Sequence, residues 1–116
     1  MRFSLLVLIV DEELEDKAID VAKENGAINV SIVNARALSL SEEKKTFFGF
    51  TLEGAQSILI FVLERTLSIK LMKKLNTALE LEKPDRGIAF ILPIEHIAGV
   101  ELKEIMKFEE EIKKQL

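Results

Sequence analysis

Two unbroken apolar runs limit the folds open to this chain more than any other feature. Residues 5–10 (LLVLIV), within a strand predicted over 3–10, and residues 58–63 (ILIFVL) are long enough for a strand and too short to span a membrane. Charged residues follow each run at once, and apolar residues at helical spacing come next. An apolar run without alternation is typical of a strand covered on both faces. The pattern predicts two strand–helix units around a buried core.

The boundaries of the two helices are predicted from capping residues. Asp11 is suited to cap the first helix, and Gly26 is suited to end it, because glycine takes the left-handed cap conformation without steric cost. Thr66 is the predicted cap of the second helix, and Pro84 is predicted to end it. The apolar face of the second helix comprises Leu67, Leu71, Leu75, Ala78 and Leu79.

Two further strands complete the predicted order. Alternating residues predict one strand over 28–33, and a short apolar run predicts another over 88–92. The order β-α-β-β-α-β predicts an α+β, ferredoxin-like sandwich, in which an antiparallel four-stranded sheet carries two helices on one face. We expect an extra C-terminal helix over 102–116, and a single domain over 1–116. The other sheet face is then bare and apolar, which favours a homo-oligomer.

Composition excludes several functions. The chain has 16 Lys+Arg against 20 Asp+Glu, a net charge of −4, and no Trp or Tyr. Without a basic stripe or a stacking platform, a nucleic-acid partner is not expected. No apolar stretch approaches about 18 residues, so the chain is not expected to be embedded in a membrane. The absence of cysteine suits a cytoplasmic location and excludes a thiolate metal site.

No group of residues predicts catalysis or a metal site. His96 is the single histidine, without a second His or any Cys to share a metal, and it is interpreted as a polar residue after the last strand. The carboxylate clusters at 42–43 and 109–111 lack calcium-loop spacing and are interpreted as solvated surface. Phosphate-binding and nucleophile motifs are missing. We therefore expect a protein without enzyme activity, metal or cofactor.

The segment 38–54 is predicted to be a long loop, because its polar half has no periodicity. Loops of this length in a compact domain are usually functional. Exposed aromatic residues favour interfaces, so this loop is a candidate partner-docking segment, although its aromatic residues could instead fold back on the core. The candidate docking residues are Lys44, Lys45, Phe47, Phe48 and Phe50.

The segment 83–87 (KPDRG) is predicted to be a tight turn before the last strand. Lys83 and Arg86 are cations beside the backbone of Gly87, which is the composition of an anion-binding nest. An ordinary turn explains the same residues, since such turns are common. Both interpretations stay open from the residues alone.

With these segments placed, the chain resembles the P-II nitrogen-regulatory family, most closely a divergent P-II-like branch. Residues 87–95 (GIAFILPIE) are similar to the family's Gly-Lys-Ile-Phe-Val-Leu-Pro-Val segment, and 34–54 matches the position of its T-loop. The resemblance implies a trimer with inward-facing sheets, adenine nucleotides in clefts between subunits, and a loop that docks on a transporter or metabolic enzyme. The ligand-binding residues it implies here are Arg36, Ala37, Lys83, Arg86 and Gly87.

The chain departs from the family at several ligand positions. Ile88 stands where the family has a phosphate-binding lysine, and Gly99 and Glu101 stand where it has arginines. Leu38 replaces an arginine of the loop base, where neighbouring Arg36 is the expected substitute. Because the chain has no tyrosine, tyrosine uridylylation cannot occur. The departures favour an effector with less phosphate than ATP, such as a monophosphate or a carboxylate.

Four hypotheses for function follow in order of preference. The first is a P-II-like trimeric regulator that senses a small anionic metabolite or an adenine nucleotide and acts on a partner protein. The second is a scaffold that binds protein only, its ligand site lost. The third is a trimer similar to the metal-tolerance proteins, which the scarcity of His and Cys disfavours. The fourth is an enzyme, which lacks an activated nucleophile or base.

Overall fold

Strands and helices follow one another in the predicted β-α-β-β-α-β order. The computed structural model describes residues 1–40 and 53–101, together with residues 104, 107, 110, 111 and 114. The elements are β1 (Phe3–Asp11), α1 (Glu15–Glu24), β2 (Ser31–Ala37), β3 (Gly54–Glu64), α2 (Arg65–Leu79) and β4 (Gly87–Pro93), with a 3₁₀ turn, Glu12–Leu14, before α1. None of the described helices is long and apolar enough to cross a membrane.

The four strands form one antiparallel sheet in the order β2-β3-β1-β4. The two apolar runs are therefore the central strands, each with one face buried against the helices. Side chains alternate between faces, and one face of β1 and β3 is fully covered by the helices. The core on that face comprises Leu6, Leu8, Val10, Leu59, Phe61 and Leu63 from the strands, Ala18 and Ala22 from α1, and Leu67, Leu71, Leu75 and Leu79 from α2. The predicted α+β, ferredoxin-like sandwich with both helices on one face is confirmed.

The other sheet face, which we term the open face, is apolar over its three central rows. Its rows across β1, β3 and β4 follow from the register, and they comprise Leu5, Val62 and Leu92, then Val7, Ile60 and Phe90, then Ile9, Ile58 and Ile88. Val62 is 53% exposed and Leu92 48% exposed. α1 and α2 both pack on the opposite face, so they leave this face as a continuous apolar surface. The described residues Glu104, Lys107 and Glu111 lie near Val62 at one end of it.

The observed helix boundaries agree with only part of the prediction. Asp11 caps the 3₁₀ turn that leads into α1, since its carboxylate accepts a hydrogen bond from the backbone N–H of Glu13 at 3.0 Å, whereas α1 itself begins after Leu14 without a side-chain cap. Gly26 follows the end of α1 at a positive φ of 91°. The prediction of Thr66 as the α2 cap is wrong. Glu64 is the cap, because its carboxylate accepts from the N–H of Leu67 at 3.0 Å and its backbone is extended.

α2 also ends at a different residue from the predicted one, and by a different mechanism. The helix stops at Leu79, five residues before Pro84. Glu80 adopts the left-handed conformation (φ 54°, ψ 48°), and its N–H returns to the carbonyls of Asn76 and Thr77. A left-handed residue ends a helix without proline, because it turns the next N–H groups back onto the last carbonyls.

The second strand is displaced from its predicted position. The alternation over 28–33 predicted a strand with one buried face, but the strand is Ser31–Ala37, and none of its residues is buried. Ile28 lies before the strand and is 88% exposed. The reason is position, since β2 is an edge strand beyond the cover of the helices. Residues 41–52 of the predicted loop, and most of the predicted C-terminal helix at 102–116, lie outside the described residues.

Candidate ligand cleft at one end of the sheet

The turn between α2 and β4 carries two of the predicted ligand-binding cations, and both contact their own chain. The Lys83 ammonium forms an ion pair with the Glu80 carboxylate. The ammonium donates a hydrogen bond to this carboxylate, and the bond, together with the positive charge of Lys83, holds the pKa of Glu80 below its ordinary value. Arg86 is half-buried, and its Nε donates to the carbonyl of Leu79 at 2.9 Å. A cation at the C-terminus of a helix is favourable, because the last carbonyls lack helical partners.

The backbone conformation and the close packing at position 87 both require glycine. Gly87 begins β4 opposite Val10, with φ +148°, a conformation that side-chain-bearing residues rarely adopt. A Cβ built at this position would lie only 2.4 Å from the carbonyl oxygen of Ile9 and 2.7 Å from Cγ1 of Val10. Glycine is therefore required for β4 to approach β1 here, whether or not its amide also binds an anion.

The loop base is formed by the ends of β2 and β3. Arg36 is paired with Ala55, and Ala37 with Gly54, so the predicted loop leaves and re-enters the sheet at adjacent positions. The side chain of Arg36 is exposed. It extends from the edge strand on the helix side of the sheet, because it shares the face of Ile32 and that residue's partner Leu59.

The two predicted ligand segments lie at the same end of the sheet and on opposite edges. One row crosses all four strands from Asn34 through Ser57 and Val10 to Gly87. Three strand spacings separate β2 from β4, which is about 14 Å. Arg36 lies just beyond one end of this row, and Lys83 and Arg86 precede the other. A single chain therefore does not bring the predicted site residues together.

Sequence reasoning missed two polar residues at this end of the sheet. Gln56 lies on the open face between Asp11 and Ala35 and is only 4% exposed. Its amide nitrogen donates to the carbonyl of Glu53 at 2.9 Å, whereas its Oε1 atom is buried without a hydrogen-bond partner. Glu80 was missed as the partner of Lys83, although the three-residue spacing of opposite charges at a helix end signals such a pair.

The other candidate residues form no site in the described part of the chain. His96 is exposed after β4, as are Glu110 and Glu111. Among the described residues, no three His, Cys, Asp or Glu side chains are grouped so that they could hold a metal ion. The predicted docking residues of the loop (Lys44, Lys45, Phe47, Phe48 and Phe50) lie outside the described residues, and so does Glu42-Glu43.

This arrangement, a four-stranded antiparallel sheet in the order β2-β3-β1-β4 with two helices on one face, is the fold of PII-like signalling proteins. One of these, from Thermus thermophilus, superposes with a TM-score of 0.61 and 17% identity over 81% of this chain and 88% of the other. CPII from Thiomonas intermedia, a nitrogen regulatory PII-like protein, gives 0.63 and 16% over 86% and 98% in a structure bound to ADP, AMP and bicarbonate. Its apo form gives 0.59 and 18% over 81% and 90%.

The predicted resemblance to P-II-like proteins is thus confirmed, and at these identities it is the fold that the comparisons establish. A scan against protein-family models gives no match, and neither does a sequence search of curated proteins. The structural likeness therefore carries the relationship, while the ligand and the partner have to be argued from the residues of this chain.

Proposed function

We propose that this chain is a PII-like regulatory protein: a cytoplasmic homotrimer that binds a small anionic metabolite or nucleotide between subunits and has no enzyme activity. The loop at 38–54 would then dock on a partner enzyme or transporter through Lys44, Lys45, Phe47, Phe48 and Phe50. The observation that carries the proposal is the placement of the two predicted ligand segments on opposite edges of one sheet, at the same end.

The open face supports the proposed oligomer. Val62 and Leu92 are about half exposed, and Phe90 and Val33 of the same face are also exposed. An apolar face of this extent is unfavourable in water, and burial against other copies removes it at about 25 cal/mol per Å². Three sheets with their open faces turned inward would cover these residues and leave the charged helices outside.

The edges of the sheet support the proposed position of the ligand. β2 and β4 are both edge strands, and they run antiparallel to each other. In a ring of copies related by rotation about an axis along the strands, β2 of one copy would lie beside β4 of the next, with the same ends aligned. Arg36 and Ala37 of one subunit would then face Lys83, Arg86 and Gly87 of its neighbour.

The charges of this cleft indicate an anionic ligand of modest size. Three cations converge on it, and cations paired with phosphate or carboxylate form the stronger class of hydrogen bond. CPII, of similar fold, was solved with ADP, AMP and bicarbonate bound. The cleft proposed here lacks a lysine at position 88, where Ile88 stands, so AMP or a carboxylate suits it better than ATP.

The proposal is tested by light scattering and calorimetry. We expect a trimer at micromolar concentration that binds AMP, ADP or bicarbonate. Arg36 is the cleanest position to vary, because it is exposed on an edge strand, whereas removing Arg86 would also remove a contact with α2. Arg36→Gln should weaken binding by about tenfold or more, since hydrogen bonds to charged groups contribute roughly 1.5–3 kcal/mol.

Arg65→Gln is the matched control, because Arg65 is exposed at the start of α2, at the far end of the sheet. It removes the same charge and should leave binding unchanged. A stable monomer, or equal losses in the two variants, would contradict the proposed cleft.

One observation favours the protein-only scaffold as a second candidate. Each of the three turn residues has a role within its own chain: Lys83 pairs with Glu80, Arg86 with Leu79, and Gly87 fits a space too small for a Cβ. These residues would therefore be explained without any ligand. A trimer that binds none of AMP, ADP and bicarbonate, yet captures a partner through its loop, would favour the scaffold.

A further inference from the structure

The turn before β4 already holds a carboxylate against one of its cations. Glu80 contacts the Lys83 ammonium, and the two side chains are 51% and 67% exposed. The backbone of Glu80 is fixed by the end of α2, since its N–H bonds to carbonyls of Asn76 and Thr77 and its φ is 54°. Its side chain therefore starts from a defined position beside Lys83 instead of from a mobile loop.

Building on the proposed function, we propose that Glu80 acts as an internal competitor for the anionic ligand: it occupies Lys83 when the cleft is empty and is displaced when the ligand binds. The chemistry is shared, because a carboxylate and a phosphate accept hydrogen bonds from the same ammonium donors. Glu80 then sets the affinity of the cleft without touching the ligand.

The size of the effect follows from the exposure of the pair. Ion pairs between exposed side chains are weak, typically 0.2–1 kcal/mol, because water competes for both partners. Removing the Glu80 carboxylate, so that Lys83 is unpaired before the ligand arrives, should therefore tighten ligand binding by about 1.5-fold to fivefold. Because this ion pair is weak, the ligand can displace Glu80 from Lys83. A strong, buried ion pair would exclude the ligand altogether.

Glu82 provides a matched control in the same turn. It is exposed, and its carboxylate contacts the Asn76 side-chain amide at 3.5 Å instead of Lys83. Glu80→Gln and Glu82→Gln each remove one negative charge within three residues of each other. Any general attraction of an anion to a less acidic turn is therefore present in both variants, and the contact with Lys83 is the largest difference between them.

The test is calorimetric titration of the assembled protein with AMP at low salt. We expect Glu80→Gln to bind AMP about 1.5-fold to fivefold more tightly than Glu82→Gln. The advantage should vanish when Lys83→Gln is added to both, because the cation that Glu80 competes for is then gone. In the wild type, carboxyl NMR should show the pKa of Glu80 rising toward its ordinary value when AMP saturates the protein.

The outcomes separate this inference from the proposed function. If the wild type binds AMP but the two glutamine variants bind it equally, or the Glu80→Gln advantage survives in the Lys83→Gln background, the competitor is refuted and the cleft stands. If AMP binds none of the variants, the proposed nucleotide cleft is refuted and the inference with it.

Discussion

Gly87→Ala is the substitution whose effect the structure defines most sharply. The new methyl group would meet the Ile9 carbonyl at 2.4 Å and the Val10 side chain at 2.7 Å. Ile9 belongs to a central strand, so its carbonyl cannot move without disturbing the sheet. Overpacking of this kind costs about 1–3 kcal/mol, and the positive φ of +148° adds about 1–3 kcal/mol of backbone strain. We expect a loss of about 2–6 kcal/mol.

Gly54→Ala separates the two contributions. Gly54 also has a positive φ, +81°, but a Cβ there would meet nothing within 4 Å. Its loss should therefore be the strain alone, about 1–2 kcal/mol. Both variants are measured by guanidinium unfolding at one fixed protein concentration, because oligomerisation makes apparent stability concentration-dependent. A Gly87→Ala loss no larger than the Gly54→Ala loss would refute the steric argument.

Three further predictions concern the core, the loop base and the turn. Phe61→Ala should cost about 3–5 kcal/mol in the same assay, because Phe61 is fully buried, and a loss below about 1 kcal/mol would contradict that packing. Gln56→Met should raise the melting temperature, because it removes a buried oxygen that has no partner, while the carbonyl of exposed Glu53, which loses its bond to the Gln56 amide, can bond to water; a lower one would mean that the amide bond outweighs the unpaired oxygen. The lowered pKa of Glu80 means that its contribution is present at neutral pH and declines as pH falls below about 4.5, so Glu80→Gln should show a smaller acid-induced loss of melting temperature than Glu82→Gln.

The sequence predicted the parts of the fold that bury most apolar surface. The predicted strands at 3–10 and 58–63 became the central strands, and the leucines of α2 became the core, because long apolar runs leave a pattern with few alternatives. β2 was misplaced, since an edge strand without a buried residue carries little periodicity. The helix ends were misassigned at Thr66 and Pro84, where Glu64 and Glu80 act through a side-chain cap and a left-handed backbone that residue preferences rank low.

The sequence indicated which cations belong to the candidate site, but it did not indicate which groups they contact. Lys83, Arg86 and Arg36 stand out in the sequence as cations beside a turn and a loop. The contact between Arg86 and the end of α2 depends on where the helix ends, and the predicted end was several residues too late. The separation of Arg36 from the turn by the width of the sheet follows from strand order, and local pattern does not encode strand order.

The pairing of Ala37 with Gly54 has a consequence for how this fold can diversify. Because the two residues are direct partners across β2 and β3, the segment between them starts and finishes about 5 Å apart. Closing a longer segment between fixed neighbours costs little entropy, about 0.6 kcal/mol for each doubling of length. Insertions at this point can therefore lengthen, shorten or be exchanged while the sheet stays intact, which makes the domain a natural acceptor for grafted recognition sequences.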